Sequence, residues 1–349
     1  MRQVWWRMCA AAVLPLSLAH CQGKSMTVEK IELKFAPMHL ESSGEVNSMR
    51  MVKGDGRATI AMLAKSADGA PTLSMGFFDV SGGVRARPVF RIDSPFGMPS
   101  WDVTVTTSGL AAVWTEPGSA ISPLGYRAAN APPITLTGRY ASGVFQNPRF
   151  VRGEPLLKAE VTSVAYAGPS RLLALFSEGL AGGQALYTSL PPIGAGLLLD
   201  GLLLRNGTGY VLITKHLAPG PRGADRKDKR GESILPGVLH CSRLNSKFEP
   251  AGASGTPFGD QAVFEFDADL SGGRLVVLAT TAKSISAASA TVSETMLSWS
   301  ASVNLPVAGE PSAPAVLSTD RNSAVAAVID GIVSPAQILG GQISFGAKN

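Results

Sequence analysis

Short runs of alternating or continuous apolar residues, separated by tight turns, follow one another along this chain from residue 27 onward without helical periodicity. Alternation with a period of two, bounded by turns rich in Gly, Asn and Asp, is typical of β-strands joined as hairpins. The turns recur about every 53 residues on average, which is in the range of sheet repeats. The turns that stand out are Asp55-Gly56, Ser108-Gly109, Gly168-Pro169-Ser170, Asn206-Gly207, Ser271-Gly272-Gly273 and Arg321-Asn322-Ser323.

The apolar runs fall into six units, most of them with three or four predicted strands. The third unit has no clear fourth strand, and the sixth ends after three strands. A separate half-exposed strand, Thr27–Phe35, precedes the first unit. The predicted strands of the third and fifth units are Glu160–Tyr166, Arg171–Ser177 and Gln184–Thr188, then Gln261–Ala268, Arg274–Thr281 and Ser293–Ala301.

This layout resembles the β-propeller superfamily, although no signature dipeptide supports the match. The resemblance implies an all-β fold, a β-propeller of about six four-stranded blades in a single domain over residues 27–349. We expect Thr27–Phe35 to close the ring as the outer strand of the last blade, because closure removes exposed sheet edges. Two β-sandwich domains split near Pro191-Pro192 are the alternative, since they too have short strands at regular spacing.

Residues 1–19 read as a secretory signal, with Arg2 and Arg7 before an uncharged apolar stretch. Small residues at Ser17 and Ala19 fit cleavage before His20. Leu18-Ala19-His20-Cys21 also resembles the lipobox of bacterial lipoproteins, apart from His20, and this resemblance implies that Cys21 is lipidated as the first mature residue. Residues 20–26 would then be a tether. We expect an exported protein that is either lipid-anchored in the periplasm or outer membrane or freely secreted.

Composition excludes several classes of function. Charged residues are 16% of the chain and the formal net charge is +5, too small a surplus to indicate nucleic-acid binding. The four histidines lack metal-ligand spacing, so neither a metal nor another cofactor is expected.

We expect Cys241 to be a small buried hydrophobe in a strand. A disulfide with Cys21 remains open if cleavage precedes His20.

One charged segment, residues 219–233, interrupts the fourth unit. Because charge is otherwise sparse, this segment is a candidate loop for an acidic partner; a solvated hairpin insertion is the alternative. Its basic residues are Arg222, Arg226, Lys227, Lys229 and Arg230.

Carboxylates at the predicted inner strands are the other candidates for chemistry. Glycosidases work with pairs of such acids, although solvation at strand edges explains these positions as well. The residues are Asp102, Glu160, Asp200, Glu265 and Asp320. We expect a binding or scaffold protein whose loops contact an envelope protein or glycan, with a carbohydrate-active hydrolase or lyase as the alternative.

Overall fold

Every regular element in the described part of this computed structural model is a β-strand. The structure describes residues 30–41, 44–54, 56–81, 83–92, 99–106, 109–115, 124–128, 134–136, 145–152, 163–167, 172–176, 186–218, 226–227, 233–252, 254–294, 296–300, 302–331 and 337–346.

The strand bounds follow the predicted hairpins in most of the chain. In chain order the strands are β1 (Lys30–Met38), β2 (Leu40–Glu41), β3 (Glu45–Gly54), β4 (Arg57–Lys65), β5 (Pro71–Phe77), β6 (Val84–Arg85), β7 (Arg87–Arg91), β8 (Trp101–Thr106), β9 (Gly109–Thr115), β10 (Leu124–Ala128), β11 (Ile134–Leu136), β12 (Phe145–Phe150), β13 (Ser163–Ala167), β14 (Leu172–Phe176), β15 (Leu186–Ser189), β16 (Leu198–Asn206), β17 (Gly209–Leu217), β18 (Arg226–Lys227), β19 (Ser233–Ile234), β20 (Gly237–Leu244), β21 (Glu265–Ser271), β22 (Arg274–Thr280), β23 (Ser284–Val292), β24 (Leu297–Trp299), β25 (Val303–Pro306), β26 (Pro311–Asp320), β27 (Ser323–Asp330) and β28 (Gln337–Gly346).

Six antiparallel sheets of these described strands form the blades of a β-propeller. Blades 1 to 3 have the orders β3-β4-β5-β7, β8-β9-β10-β11 and β12-β13-β14-β15. Blade 4 is β16-β17-β20, blade 5 is β21-β22-β23 with β24 and β25 both on β23, and blade 6 is β26-β27-β28-β1. The first strands of successive blades contact one another around the ring, and β26 contacts β3, so the ring closes.

The N-terminal strand closes the last blade, as the sequence predicts. β1 pairs antiparallel with β28 from Lys30 opposite Gly346 to Met38 opposite Ile338. Two of its apolar side chains, Ile31 and Met38, are buried. Gly340 lies so close to the Met38 side chain that a Cβ there would collide with its sulfur, so a larger residue at this position would force the Met38 side chain to move.

Neighbouring blades share their apolar faces, and this explains why the second strands are continuous apolar runs. In β4, the stretch from Ile60 to Leu63 is fully buried, because one face packs on blade 2 and the other on blade 6. Cys241 in β20 lies in the core between blades 4 and 5.

Two units differ from the prediction. In blade 3 the strand that the sequence analysis missed is the first, Phe145–Phe150, whose polar residues and Pro148 hide the apolar pattern. The strand predicted from Glu160 is therefore second, not inner. In blade 5 the missed strand is Ser284–Val292, which is buried although its residues are mostly small.

The sandwich alternative is wrong, because Pro191-Pro192 only links blade 3 to blade 4 of one ring. Blade 4 has three strands rather than four. Its outer edge is completed by isolated bridges from Cys241 to Gly255 and from Leu244 to Pro250.

Candidate functional site

Charged side chains from the inner strands meet in the middle of the ring. We call the following residues the axial cluster: Arg50, Asp102, Arg149, Arg152, Asp200, Asp267 and Asp269. They come from the first strands of blades 1 to 5 or, for Arg152, from the bridge just after β12. In a chain with 16% charged residues, this concentration in the interior is the main polar feature of the fold.

Arg152 is the centre of the axial cluster. Its Nη1 donates to both carboxylate oxygens of Asp267, at 2.8 and 3.1 Å, and its Nη2 donates to Asp102 Oδ1 at 3.1 Å. The Arg152 side chain is 7% exposed and both aspartate side chains are 0% exposed. Burial opposes the charge of Arg152, but Asp267 and Asp102 outweigh it and raise its pKa above the ordinary value.

Asp102 is held in its ionised form from several sides. Its Oδ2 accepts the backbone N–H of Phe150 at 2.7 Å, and its Oδ1 lies 3.2 Å from Arg50 Nε. Burial alone would raise the pKa of Asp102, but Arg152, Arg50 and Arg149 outweigh it and hold the pKa below its usual value. For Arg50, burial and the charge of Arg149 lower the pKa to about 10.

Arg149 and Asp267 extend the cluster to blades 4, 5 and 6. Arg149 lies 3.5 Å from Asp200 Oδ2 and 3.6 Å from Asp267 Oδ1. Asp267 Oδ2 also accepts the backbone N–H of Val316 in β26 at 3.0 Å. The axial cluster therefore bonds the inner strands of all the blades to one another.

Asp269 lies two residues after Asp267 on the same face of β21. Its Oδ2 accepts the backbone N–H of Ser318 at 2.8 Å. Among the described side chains, no arginine or lysine nitrogen forms an ion pair with it. Burial raises the pKa of Asp269, against the opposing effects of the Ser318 N–H and the Arg152 charge.

A cavity of about 370 Å³ lies next to Asp269, at the end of the ring where β3 turns into β4 and β21 into β22. Its lining combines apolar side chains with a few polar groups, as is usual for small-molecule sites. The lining residues are Met51, Val52, Lys53, Gly56, Thr104, Val105, Arg152, Asp269, Leu270, Ser271, Leu317 and Ser318.

At the opposite end of the ring, the charged insertion is attached to the inner strands. Arg226 donates to the backbone carbonyls of Pro311, at 2.5 Å, and Glu310, at 2.9 Å, and its guanidinium lies 5.7 Å from the Phe264 ring centre. Nearby, Glu265 accepts the N–H of Ala313, a residue at φ 47° in the left-handed region. Glu265 therefore stabilises a strained bulge.

The structure places the predicted site residues in three different settings. Asp102 and Asp200 belong to the axial cluster, whereas Glu265 bonds the bulge at Ala313. Asp320 lies in an exposed hairpin turn, where it accepts the N–H of Asn322 at 2.7 Å. Glu160 lies outside the described residues.

At its described positions, the charged insertion is bonded to other parts of the protein and is therefore not a freely solvated loop. Arg226 is half-buried and bonded to blade 6, and Lys227 is in β18, which pairs with β19. Three more predicted loop residues, Arg222, Lys229 and Arg230, lie outside the described residues, as does the predicted lipidation site Cys21.

Sequence reasoning missed most of the axial cluster. Arg149 and Arg152 lie at a strand that the pattern did not reveal, and Arg50 was passed over within a predicted unit. One signal was available, namely Asp267-Ala268-Asp269 within an apolar strand. Two acids at this spacing share one face of a strand, and they are buried in an apolar run only when they are paired.

His240 and His216 form an edge-to-face pair, with ring centres 5.3 Å apart. Burial, and then the charge of His216, lower the pKa of His240 below its ordinary value, although Asp260 opposes this. The folded state then takes up its proton at lower pH than the unfolded state. We therefore expect the free energy of unfolding to decrease as pH falls below about 6.5.

Urea denaturation between pH 5 and pH 8 measures this effect. His240→Gln should flatten the pH dependence, whereas His39→Gln, at an exposed position, should leave it unchanged. Equal slopes in the wild type and His240→Gln would contradict the prediction.

Cys241 is fully buried, as the sequence analysis expected, and it forms no disulfide with any residue that the structure describes. Burial raises the pKa of its thiol well above the usual range. Since the thiolate is the reactive form, we expect Cys241 to resist iodoacetamide in the native protein and to react in urea. Mass spectrometry of the peptide that contains Cys241 measures this; equal alkylation in both conditions would contradict it.

Two further properties concern the described part of the chain alone. No group of three or more His, Cys, Asp or Glu residues there is placed to hold a metal ion. No helix there has the length and apolar character needed to cross a membrane.

Comparison with known proteins supports the fold. No protein-family model and no curated protein sequence matches this chain. A protein of unknown function from Dyadobacter fermentans has a similar solved structure, with a TM-score of 0.61 at 10% identity over 90% of this chain and 99% of that one.

Two viral proteins are also similar in structure. The hemagglutinin-neuraminidase of parainfluenza virus 5 has a TM-score of 0.52 at 9% identity, over 91% of this chain and 95% of that one. The N10 neuraminidase-like protein of an influenza virus from the little yellow-shouldered bat has a TM-score of 0.50 at 8% identity, over 90% and 100% of the two chains. At such identities, these similarities establish that the chain has a β-propeller fold.

Proposed function

We propose that this protein is an exported, envelope-associated binding or scaffold protein that presents its loops on a rigid propeller ring. The observation that carries the proposal is that Arg152 bridges Asp102 and Asp267 in the middle of the ring. Buried ion pairs of this kind connect the inner strands to one another. The charged residues on the ring axis would then stabilise the fold rather than catalyse a reaction.

The chemistry of glycoside hydrolysis explains why this bridge weighs against catalysis. Most glycosidases use one protonated carboxyl group as general acid and a second carboxylate as base or nucleophile, both facing the sugar; sialidases, which have a tyrosine nucleophile, are an exception. Asp102 is instead kept ionised by arginines and accepts the N–H of Phe150. Glu265, a further candidate acid, accepts the N–H of Ala313.

A rigid ring leaves recognition to the loops at its two ends, where binding residues are most often found. The insertion that carries Arg226 is the loop with the highest charge density in the sequence. Arg226 attaches it to blade 6. The remaining basic residues of the insertion would then be presented to a partner protein or glycan from a fixed base.

A pull-down from envelope fractions, run beside a glycan array, tests this proposal. We expect the wild type to capture a defined protein or glycan. A variant with residues 219–232 replaced by a short Gly-Ser linker should lose that partner and stay folded, with a small decrease in melting temperature because the bonds of Arg226 to blade 6 are lost. Shortening the turn at Ser66–Ala70 serves as the control loop. Capture that survives the loss of residues 219–232 contradicts the role of the insertion.

The alternative is a carbohydrate-active hydrolase. One similar solved structure is a parainfluenza virus 5 hemagglutinin-neuraminidase with the ligand DANA, which suggests sialosides as the first substrates to assay. Hydrolysis by the wild type, together with its loss in Asp102→Asn, would favour the enzyme over the binding protein.

Export and anchoring belong to the same proposal. Mass spectrometry of the mature N-terminus distinguishes an acylated Cys21 from a free His20. An unprocessed Met1 in membrane and soluble fractions would contradict both.

A further inference from the structure

The cavity beside Asp269 has the composition of a site for a small organic ligand. Its lining includes the apolar residues Met51, Val105 and Leu317 and the buried charged residues Asp269 and Arg152. Its volume of about 370 Å³ falls in the range of known ligand pockets. No lining residue of this cavity belongs to the insertion at residues 219–233, so ligand binding here and partner binding by the insertion can be tested, and can fail, separately.

The charges around this cavity do not balance. The axial cluster contains four aspartates, Asp102, Asp200, Asp267 and Asp269, against three arginines, Arg50, Arg149 and Arg152. Each aspartate except Asp269 lies within 3.6 Å of an arginine nitrogen. Lys215 and Glu265 add one charge of each sign and leave the difference unchanged.

The unbalanced carboxyl group is the one that lines the cavity. Both Nη atoms of Arg152 are already bonded to Asp267 and Asp102. Asp269 accepts hydrogen bonds from uncharged groups, namely the backbone N–H groups of Ser318 and Leu270 and the Ser318 side chain. An ionised carboxylate in such a buried position requires a positive partner. Burial therefore raises the pKa of Asp269, against the opposing effects of its hydrogen bonds and of the Arg152 charge. A cation that enters the cavity would supply the missing charge.

We propose that this cavity binds a small amphipathic organic cation, whose ammonium group pairs with Asp269 and whose apolar part packs against Met51, Val105 and Leu317. A positively charged donor to a carboxylate forms a stronger hydrogen bond than a neutral donor does. The apolar lining residues select cations that carry a hydrocarbon segment over inorganic ions.

An anionic ligand fits this cavity less well. Lys53, at the exposed mouth, would attract an anion, and Arg152 also lines the cavity. The Arg152 Nη atoms already donate to Asp267 and Asp102, although its Nε–H has no described acceptor. An anion would therefore meet a guanidinium that is already paired with two carboxylates, next to the carboxyl group of Asp269. Substitution of Lys53 therefore distinguishes a cationic from an anionic ligand experimentally, because only the anion would lose an attractive charge.

Isothermal titration calorimetry of the folded protein with three ligands of equal length tests the proposal. The probes are n-hexylammonium, 1-hexanol and hexanoate. We expect n-hexylammonium to bind most tightly, by about tenfold or more over 1-hexanol, because it gains a charged hydrogen bond. Asp269→Asn should remove that advantage. Asp320→Asn, which changes a carboxylate in an exposed turn, should leave it intact.

Two further variants keep the test decisive if Asp269→Asn does not fold, which near-UV circular dichroism will show. Val105→Trp fills the cavity and should abolish binding of n-hexylammonium. Lys53→Met removes the charge at the mouth and should preserve or strengthen that binding. Tighter binding of hexanoate, equal binding of the amine and the alcohol, or no measurable binding of the amine would each overturn the proposal.

Discussion

Arg152→Met should lower the free energy of unfolding by about 3–5 kcal/mol, the usual cost of removing one partner from a buried ion pair. The substitution leaves Asp102 and Asp267 buried without the guanidinium that bridges them. Methionine is apolar and of similar length, so the loss comes mainly from two buried carboxylates that keep only Arg50 and Arg149 as cationic neighbours, and not from a large cavity.

Urea denaturation at pH 7 measures this loss, and Arg91→Met is the matched control. Arg91 pairs with Asp68, but both side chains are more than half exposed, at 57% and 55%. Exposed pairs of this kind contribute about 0–1 kcal/mol. Adding Asp267→Asn to Arg152→Met should recover part of the stability, because Arg50 can still pair with Asp102 and Arg149 with Asp200. Equal losses for Arg152→Met and Arg91→Met would refute the structural role of the axial cluster.

Deletion of residues 22–38 should destabilise the whole ring by about 3–6 kcal/mol, because it exposes apolar surface equivalent to two buried side chains. These residues include β1, whose Ile31 and Met38 are buried and which pairs with β28 over its full length of nine residues. Its loss also turns β28 into an open sheet edge, which promotes aggregation.

Differential scanning calorimetry and light scattering of the truncated protein measure these two effects. A synthetic peptide of residues 27–38 should restore the melting temperature by adding the strand in trans. The same peptide with Ile31→Ala should restore less, while Lys34→Ala, at an exposed position, should restore fully. A truncated protein that melts like the full-length chain would show that ring closure contributes little.

Much of the architecture could be predicted from the sequence, because a propeller repeats one local unit. The hairpins at Asp55-Gly56 and Asn206-Gly207 have strong turn residues between apolar runs, and both join first to second strands as expected. The pattern failed where composition obscured it. β12 contains Gln146, Asn147 and Pro148, and β23 is rich in Ser and Ala, whose hydropathy resembles that of loops.

The candidate site was much harder to predict than the fold. Asp102 and Asp200 were found as acids at inner strands, but their partners Arg152 and Arg149 come from β12 and the isolated bridge that follows it. A buried ion network brings together residues more than 100 positions apart, such as Arg152 and Asp267. No local pattern encodes such a pairing; it follows only once the inner strands are known to surround a common axis.

Closure of blade 6 by β1 also has a consequence for how the protein is synthesised. The ribosome makes β1 about 300 residues before β28, the strand with which it pairs, and contacts so distant in sequence form slowly. The nascent chain can assemble blades 1 to 5 in order while β1 stays without its partner. The synthesis of β28, rather than the completion of any earlier blade, is then the event that permits the ring to close.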